Sequence, residues 1–131
     1  MFLDASAIIA IIARESDATS LAARLGQATH VVTSPIAIYE SVLGLVRVGN
    51  TSIADATSVL DLFLKEVGAT IVSIDEASGR AAVAAFARFG KGRHAAALNL
   101  GDCFAYACAA THDMPLLCKG DDFPRTDIVI A

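Results

Sequence analysis

Four acidic residues stand where a carboxylate needs an explanation: Asp4, Glu40, Asp102 and Asp121. Asp4 lies between the apolar Phe2-Leu3 and a run of alanine and isoleucine, so its ionised side chain requires a cation or an open cleft to offset burial. A helix cap or turn former is the other reading of an Asp after a strand. Glu40 sits on a helical stretch with few charges, either facing solvent or reaching a ligand. Asp102 suits the first turn of a helix, where the dipole favours negative charge, and Asp121 suits a turn. Four carboxylates from four separate segments would nevertheless repel one another if they converged without a divalent cation. An all-oxygen donor set favours Mg²⁺, with Mn²⁺ able to substitute, over zinc. A cation so held can activate water for in-line attack on a phosphodiester and stabilise charge on the departing oxygen.

Other side chains fit that chemistry. Lys91, Arg93 and His94 occupy a loop framed by Gly90 and Gly92, and with Lys119 they offer charge to flanking phosphates. A solvated surface loop is the alternative. Ser6, two residues after Asp4, suits a hydrogen bond to a ligand or a helix cap.

The elements that must position these groups follow from periodicity. Residues 2–3 read as a short strand, 5–13 as a buried helix, 17–25 as a second helix closed by Gly26, and 30–33 as a strand. Ser34-Pro35 starts a helix to about residue 48, the serine as cap and the proline in the first turn. Residues 52–67 form another, with Ile53, Ala56, Leu60, Leu64 and Val67 on one stripe that Val59 and Phe63 widen. That face suits core for the most part, or a partner surface. A strand over 69–74, a helix over 75–89, a helix over 100–111, a strand over 115–118 and a last strand over 128–130 complete the chain. Strands separated by helical crossovers predict an α/β fold: a parallel sheet with helices on both faces, doubly wound, whose ligands bind at the carboxyl ends of strands. Asp4 and Asp121 both follow strands and should share that edge.

Composition sets the remaining bounds. The 131 residues fit one domain spanning 1–131, and an apolar fraction of 55% with mean hydropathy +0.58 argues against disorder. No apolar run is long enough to cross a bilayer and none reads as a secretory signal, so the expected location is cytoplasmic. Cys103, Cys108 and Cys118 lack the spacing of a zinc site and read as reduced core thiols. A net charge of −4 and pI near 5.2 exclude a broad basic face coating nucleic acid.

Taken in order, Met1-Phe2-Leu3-Asp4-Ala5-Ser6-Ala7, Tyr39-Glu40, Leu100-Gly101-Asp102-Cys103-Phe104-Ala105-Tyr106-Ala107 and Lys119-Gly120-Asp121-Asp122-Phe123 resemble the PIN-domain ribonucleases, in particular the VapC toxins of bacterial toxin–antitoxin pairs. Residues 88–94 look like a VapC subgroup. The resemblance implies a three-layer α/β/α PIN fold with a mainly parallel sheet, and endonucleolytic RNA cleavage. It implies that Asp4, Glu40 and Asp102 bind metal, with a further acid near Asp121. Many relatives carry Thr-x-Asp-x-Asp-Phe where this chain has Cys118-Lys119-Gly120-Asp121-Asp122-Phe123, so Gly120 stands at the usual Asp. Asp121 is the expected substitute, with Asp122 in reserve. The family also implies a homodimer and a VapB-type antitoxin whose basic side chain enters among the acids, where a guanidinium competes with metal for the same charge.

Two other functions remain open to the sequence. A phosphoacceptor domain would use Asp4 for Mg²⁺, Asp75 for phosphate and Lys119 in support, but it leaves Glu40 and Asp102 unexplained. A catalytically inactive PIN-like binding domain is the other, kept open by the altered segment from Cys118 to Asp121.

Overall fold

Strands of only two residues build the sheet, and their side chains alternate strictly across it. In the computed structural model, which describes residues 1–131, β1 (Phe2–Leu3) sends Phe2 into one core and Leu3 into the other. Leu116 and Leu117 of β4 (Leu116–Leu117) divide in the same way, in register with Phe2 and Leu3. This is the period of two that a pleated strand imposes. The sheet is wholly parallel in the order β3-β2-β1-β4, with β2 at Val32–Thr33 and β3 at Thr70–Ile71. A parallel sheet must be covered on both faces. Helices α1 (Ala5–Ile12), α2 (Ala18–Leu25), α3 (Pro35–Gly49) and α4 (Ile53–Glu66) supply core residues on the Leu3 side. Helices α5 (Glu76–Phe89) and α6 (Leu100–Thr111) supply them on the Phe2 side. The doubly wound α/β expectation therefore holds.

Most helix starts follow local chemistry legible in the sequence. The Ser34 Oγ accepts from the Ala37 N–H at 3.2 Å, with Pro35 in the first turn, and Ser52 caps α4 through the Asp55 N–H at 3.0 Å. Such a cap is worth about 1 kcal/mol. Helix α5 opens on a capping box between Asp75 and Ser78. The stripe on α4 divides: Ala56, Leu60 and Leu64 are buried, Phe63 and Val67 are half-buried, and Ile53 and Val59 are exposed, as is Leu62 outside the stripe.

The last expected strand, 128–130, is reduced to one bridge between Leu116 and Ile130. Two backbone hydrogen bonds to Leu116 hold the chain end there, and Arg24 adds to them, its Nη1 donating to the Ala131 carbonyl at 2.5 Å. Strand β3 is likewise shorter than the β-branched run 69–74, because it lies at the sheet edge and both its residues are exposed.

The sequence of crossovers changes direction at β1. Strands β2 and β3 are added on one side and β4 on the other, so the carboxyl ends of β1 and β4 flank a topological switch point, the usual ligand crevice of open α/β sheets. Asp4 and Lys119 follow those two ends.

Candidate active site

Asp4 is both a helix cap and a buried acid. Its Oδ2 accepts from the Ser6 N–H at 2.9 Å and from the Ser6 hydroxyl at 2.5 Å, so α1 begins on this carboxylate. The residue is only 4% exposed. Burial raises its pKa, and the hydrogen bonds from Ser6 and the Ala5 N–H oppose that rise without cancelling it. The Ser6 oxygen in turn accepts from the Lys119 N–H at 2.9 Å. Ser6 thus joins the ends of β1 and β4 at the switch point.

Helix α3 brings Glu40 alongside. Its approach to α1 depends on Gly44, one turn beyond Glu40, where a Cβ would overlap the Ile9 side chain. The Glu40 carboxylate then lies against the backbone of Gly101 in the first turn of α6, another place where a Cβ would collide. Half-burial, followed by the negative fields of Asp4 and Asp102, pushes Glu40 up to about 7. No hydrogen bond or cation offsets these effects.

Asp102 forms a reciprocal capping box with Asn99. Its Oδ2 accepts from the Asn99 N–H at 2.9 Å, and the Asn99 side chain accepts from the Asp102 N–H at 3.0 Å. Burial raises the Asp102 pKa despite that bond, and the fields of Asp4 and Asp122 raise it further. The capping reading of Asp4 and Asp102 and the ligand reading are compatible, because each cap occupies one carboxylate oxygen and leaves the other.

Asp4, Ser6, Glu40, Asn99 and Asp102 line one open cleft of about 420 Å³. Asp121 and Asp122 are exposed and outside its lining. Of the two, Asp122 is the one whose field reaches Asp102 and Cys118. Cys118 itself, buried and facing these acids, is pushed up to about 12 and stays a thiol at neutral pH. All three cysteines are free and buried, as expected of core thiols.

No group of three or more His, Cys, Asp or Glu side chains stands in an arrangement that could hold a metal ion as it is. The acids of the cleft nevertheless fit a hard divalent cation. Their donors are all oxygen, one oxygen of Asp4 and one of Asp102 are free of the hydrogen bonds above, and their mutual repulsion is uncompensated. Mg²⁺ requires no closed cage, since it retains several waters and binds through one or two carboxylates.

The expected RNA-binding cations lie elsewhere. Lys119 is bound by Glu15 and, at 3.4 Å, by Asp17. Arg93 stands 5.4 Å over the Phe86 ring, and His94 packs edge-on to Phe89 and accepts from the Ala96 N–H. Lys91 is exposed, and none of these four lines the cleft. Arg47 and Tyr39 of α3 do line it. Sequence reasoning gave Tyr39 no role beyond its place in the motif with Glu40 and missed Arg47, although its offset of seven from Glu40 places it two helical turns along the same face.

The phosphoacceptor arrangement is not formed. Asp75 follows β3, which β2 separates from β1, and its carboxylate caps α5 outside the acidic cleft.

Comparison with known proteins bears on the same architecture. The PIN domain family matches residues 1–129. A VapC ribonuclease of Rhizobium meliloti is 38% identical over 139 residues, covering 97% of this chain and 98% of the relative. This chain belongs to the VapC ribonucleases of the PIN-domain family. Two VapC ribonucleases of Mycobacterium tuberculosis are also 38% identical over 130 residues, each covering 98% of this chain and 91% or 95% of their own. The likeness to VapC therefore spans both cores and every strand, along with the segments that carry Asp4, Glu40 and Asp102.

Proposed function

We propose that this VapC-family protein is the toxin of a toxin–antitoxin pair, an endoribonuclease that hydrolyses RNA phosphodiesters at the cleft lined by Asp4, Glu40 and Asp102. The observation that supports it is the convergence of three carboxylates with raised pKa values from three helix positions, two of them already tethered by caps. Perturbed acids gathered in a cleft are a mark of functional sites.

When bound there, Mg²⁺ supplies water activation and stabilisation of leaving-group charge, and Mn²⁺ can replace it. Asp4 and Asp102 offer the carboxylate oxygens that their caps leave free. Glu40, unpaired and half-buried, supplies the third. The fourth acid is Asp122 in preference to Asp121, because its field reaches Asp102. Ser6 holds the Asp4 carboxylate in one orientation. The chain works as one domain over residues 1–131 and acts in the cytoplasm; no helix is long and apolar enough to cross a membrane.

A VapB-type antitoxin and a homodimer complete the proposal. A basic side chain of the antitoxin placed among the three acids would neutralise them and compete with Mg²⁺. Apolar side chains left exposed on α3 and α4, Val48, Ile53, Val59 and Leu62, support burial against partner protein.

The test is sequencing of RNA ends after brief expression of the wild type and of Asp4→Asn. New ends at defined positions are expected with the wild type alone. Identical ends from both proteins would overturn the proposal.

A further inference from the structure

The acids that serve cleavage also make the cleft repel its substrate. RNA carries one negative charge per nucleotide, and three carboxylates face it. A bound divalent cation offsets only part of that, so a protein cation at the cleft has a function the acids cannot supply. Arg47 is the one Lys or Arg side chain that lines it. It enters none of the ion pairs in the structure and is exposed. Its place in the last turn of α3 also complements the helix dipole. Helical side chains lean toward the amino terminus of their helix, which directs the Arg47 stem toward the turn that carries Glu40.

Tyr39 is the second feature. It lines the same cleft and is 65% exposed, a large ring left in water. Nothing in the core needs it there. An exposed aromatic ring beside a phosphate-binding cation is the pairing by which proteins hold unpaired bases, the ring stacking on the base while the guanidinium holds the backbone. The cleft, at about 420 Å³, falls within the size range of pockets that enclose small ligands.

We infer that Tyr39 and Arg47 form the substrate-holding rim of the cleft, Arg47 binding an RNA phosphate beside the carboxylates and Tyr39 stacking on an adjacent unpaired base. The inference rests on the ribonuclease reading of the same cleft. Tyr39 can take only an unpaired base, because a base held in a duplex cannot reach its ring.

The test is fluorescence anisotropy of a short, labelled, mixed-sequence single-stranded RNA, with Ca²⁺ in place of Mg²⁺ to prevent turnover, over a range of salt. Tyr39→Ala is expected to weaken binding about tenfold, the loss of one stacked base, and Tyr39→Phe to retain it. Arg47→Ala is expected to weaken binding and to lower the slope of log K against log salt by about 0.7, one phosphate contact on a single strand. Arg47→Lys should keep that slope. Lys65→Ala, at the carboxyl end of α4, serves as the control and should match the wild type. Annealing the complementary strand should weaken wild-type binding.

Wild-type affinity and slope in both Tyr39→Ala and Arg47→Ala would overturn this inference while leaving the ribonuclease reading intact, provided the wild type cleaves RNA with Mg²⁺. A wild type that neither binds nor cleaves RNA would overturn both. Thermal melts of the two variants, exposed positions expected to fold normally, separate lost contact from lost structure.

Discussion

The carboxylate of Glu40 lies against the backbone of Gly101, in space that any Cβ at residue 101 would fill. The colliding atoms are the far end of a flexible side chain, so the collision is relieved by moving Glu40 and not by moving α6. Function and stability should therefore separate. Gly101→Ala is expected to leave stability unchanged or to raise it by about 1 kcal/mol, the helix-propensity gain of alanine. Its cleavage rate should fall about 10²-fold, the usual effect of displacing a catalytic group by about 1 Å. Thermal melts and RNA cleavage measured on the same preparation decide this.

Ser6 gives a second separation. Its hydroxyl donates to Asp4 and its oxygen accepts from the Lys119 N–H. Ser6→Ala should lower stability by about 1–2 kcal/mol, the loss of a hydrogen bond to a charged group, and reduce cleavage by about tenfold. Ser6→Thr, which keeps the hydroxyl, should restore most of both. Equal activity of Ser6→Ala and the wild type would remove Ser6 from the positioning of Asp4.

The two acids after Gly120 can be ranked. The field of Asp122 reaches Asp102, and Asp121 contributes no comparable effect there. Asp122→Asn is expected to reduce cleavage more than Asp121→Asn at limiting Mg²⁺, with the difference shrinking as Mg²⁺ saturates. Kinetics of the two variants across a Mg²⁺ titration measure it, and the opposite order would place Asp121 at the metal.

The pH dependence has a definite sign. Glu40 ordinarily titrates near 4.5 and stands at about 7 in the folded, metal-free protein. Between those values the folded state binds more protons than the unfolded state, so stability without metal should fall as pH rises through that window. Asp4 and Asp102, also raised, act in the same direction. Mg²⁺ selects the ionised carboxylates, so its affinity should rise with pH and its stabilising effect should be largest above about 7. Melting temperatures with EDTA and with Mg²⁺ across the window check both trends; a metal-free melting temperature that rises steadily with pH would contradict them.

Much of this was legible in the sequence because local chemistry and function coincide. Asp4 after Phe2-Leu3 is recognisable as a cap and Asp102 as a first-turn acid, and the hydrogen bonds made in those places are what fix each carboxylate at the cleft. Alternation of Phe2 with Leu3 and of Leu116 with Leu117 likewise announces a sheet buried on both faces. Arg47 escaped notice for the opposite reason. Arg47 reads as an ordinary residue of a last helical turn, and only the packing of α3 on α1 through Gly44 and Ile9 turns that face toward Asp4. The basic loop at residues 90–94 drew attention by composition, yet Arg93 and His94 are turned onto the rings of Phe86 and Phe89. Lys119 appeared free for substrate, but its partners Glu15 and Asp17 are more than 100 positions away in the chain, at a separation no local pattern shows.

The central claim is that the carboxylates of this cleft hold the metal that supports RNA cleavage. The most direct measurement is the initial rate of RNA cleavage by the purified protein as a function of Mg²⁺ concentration, for the wild type and for Asp4→Asn, with EDTA as the zero point. Saturable Mg²⁺-dependent cleavage by the wild type, abolished by EDTA and by Asp4→Asn, is the predicted result. Cleavage that persists in EDTA, or an Asp4→Asn variant with the wild-type rate and the wild-type Mg²⁺ dependence, would contradict it.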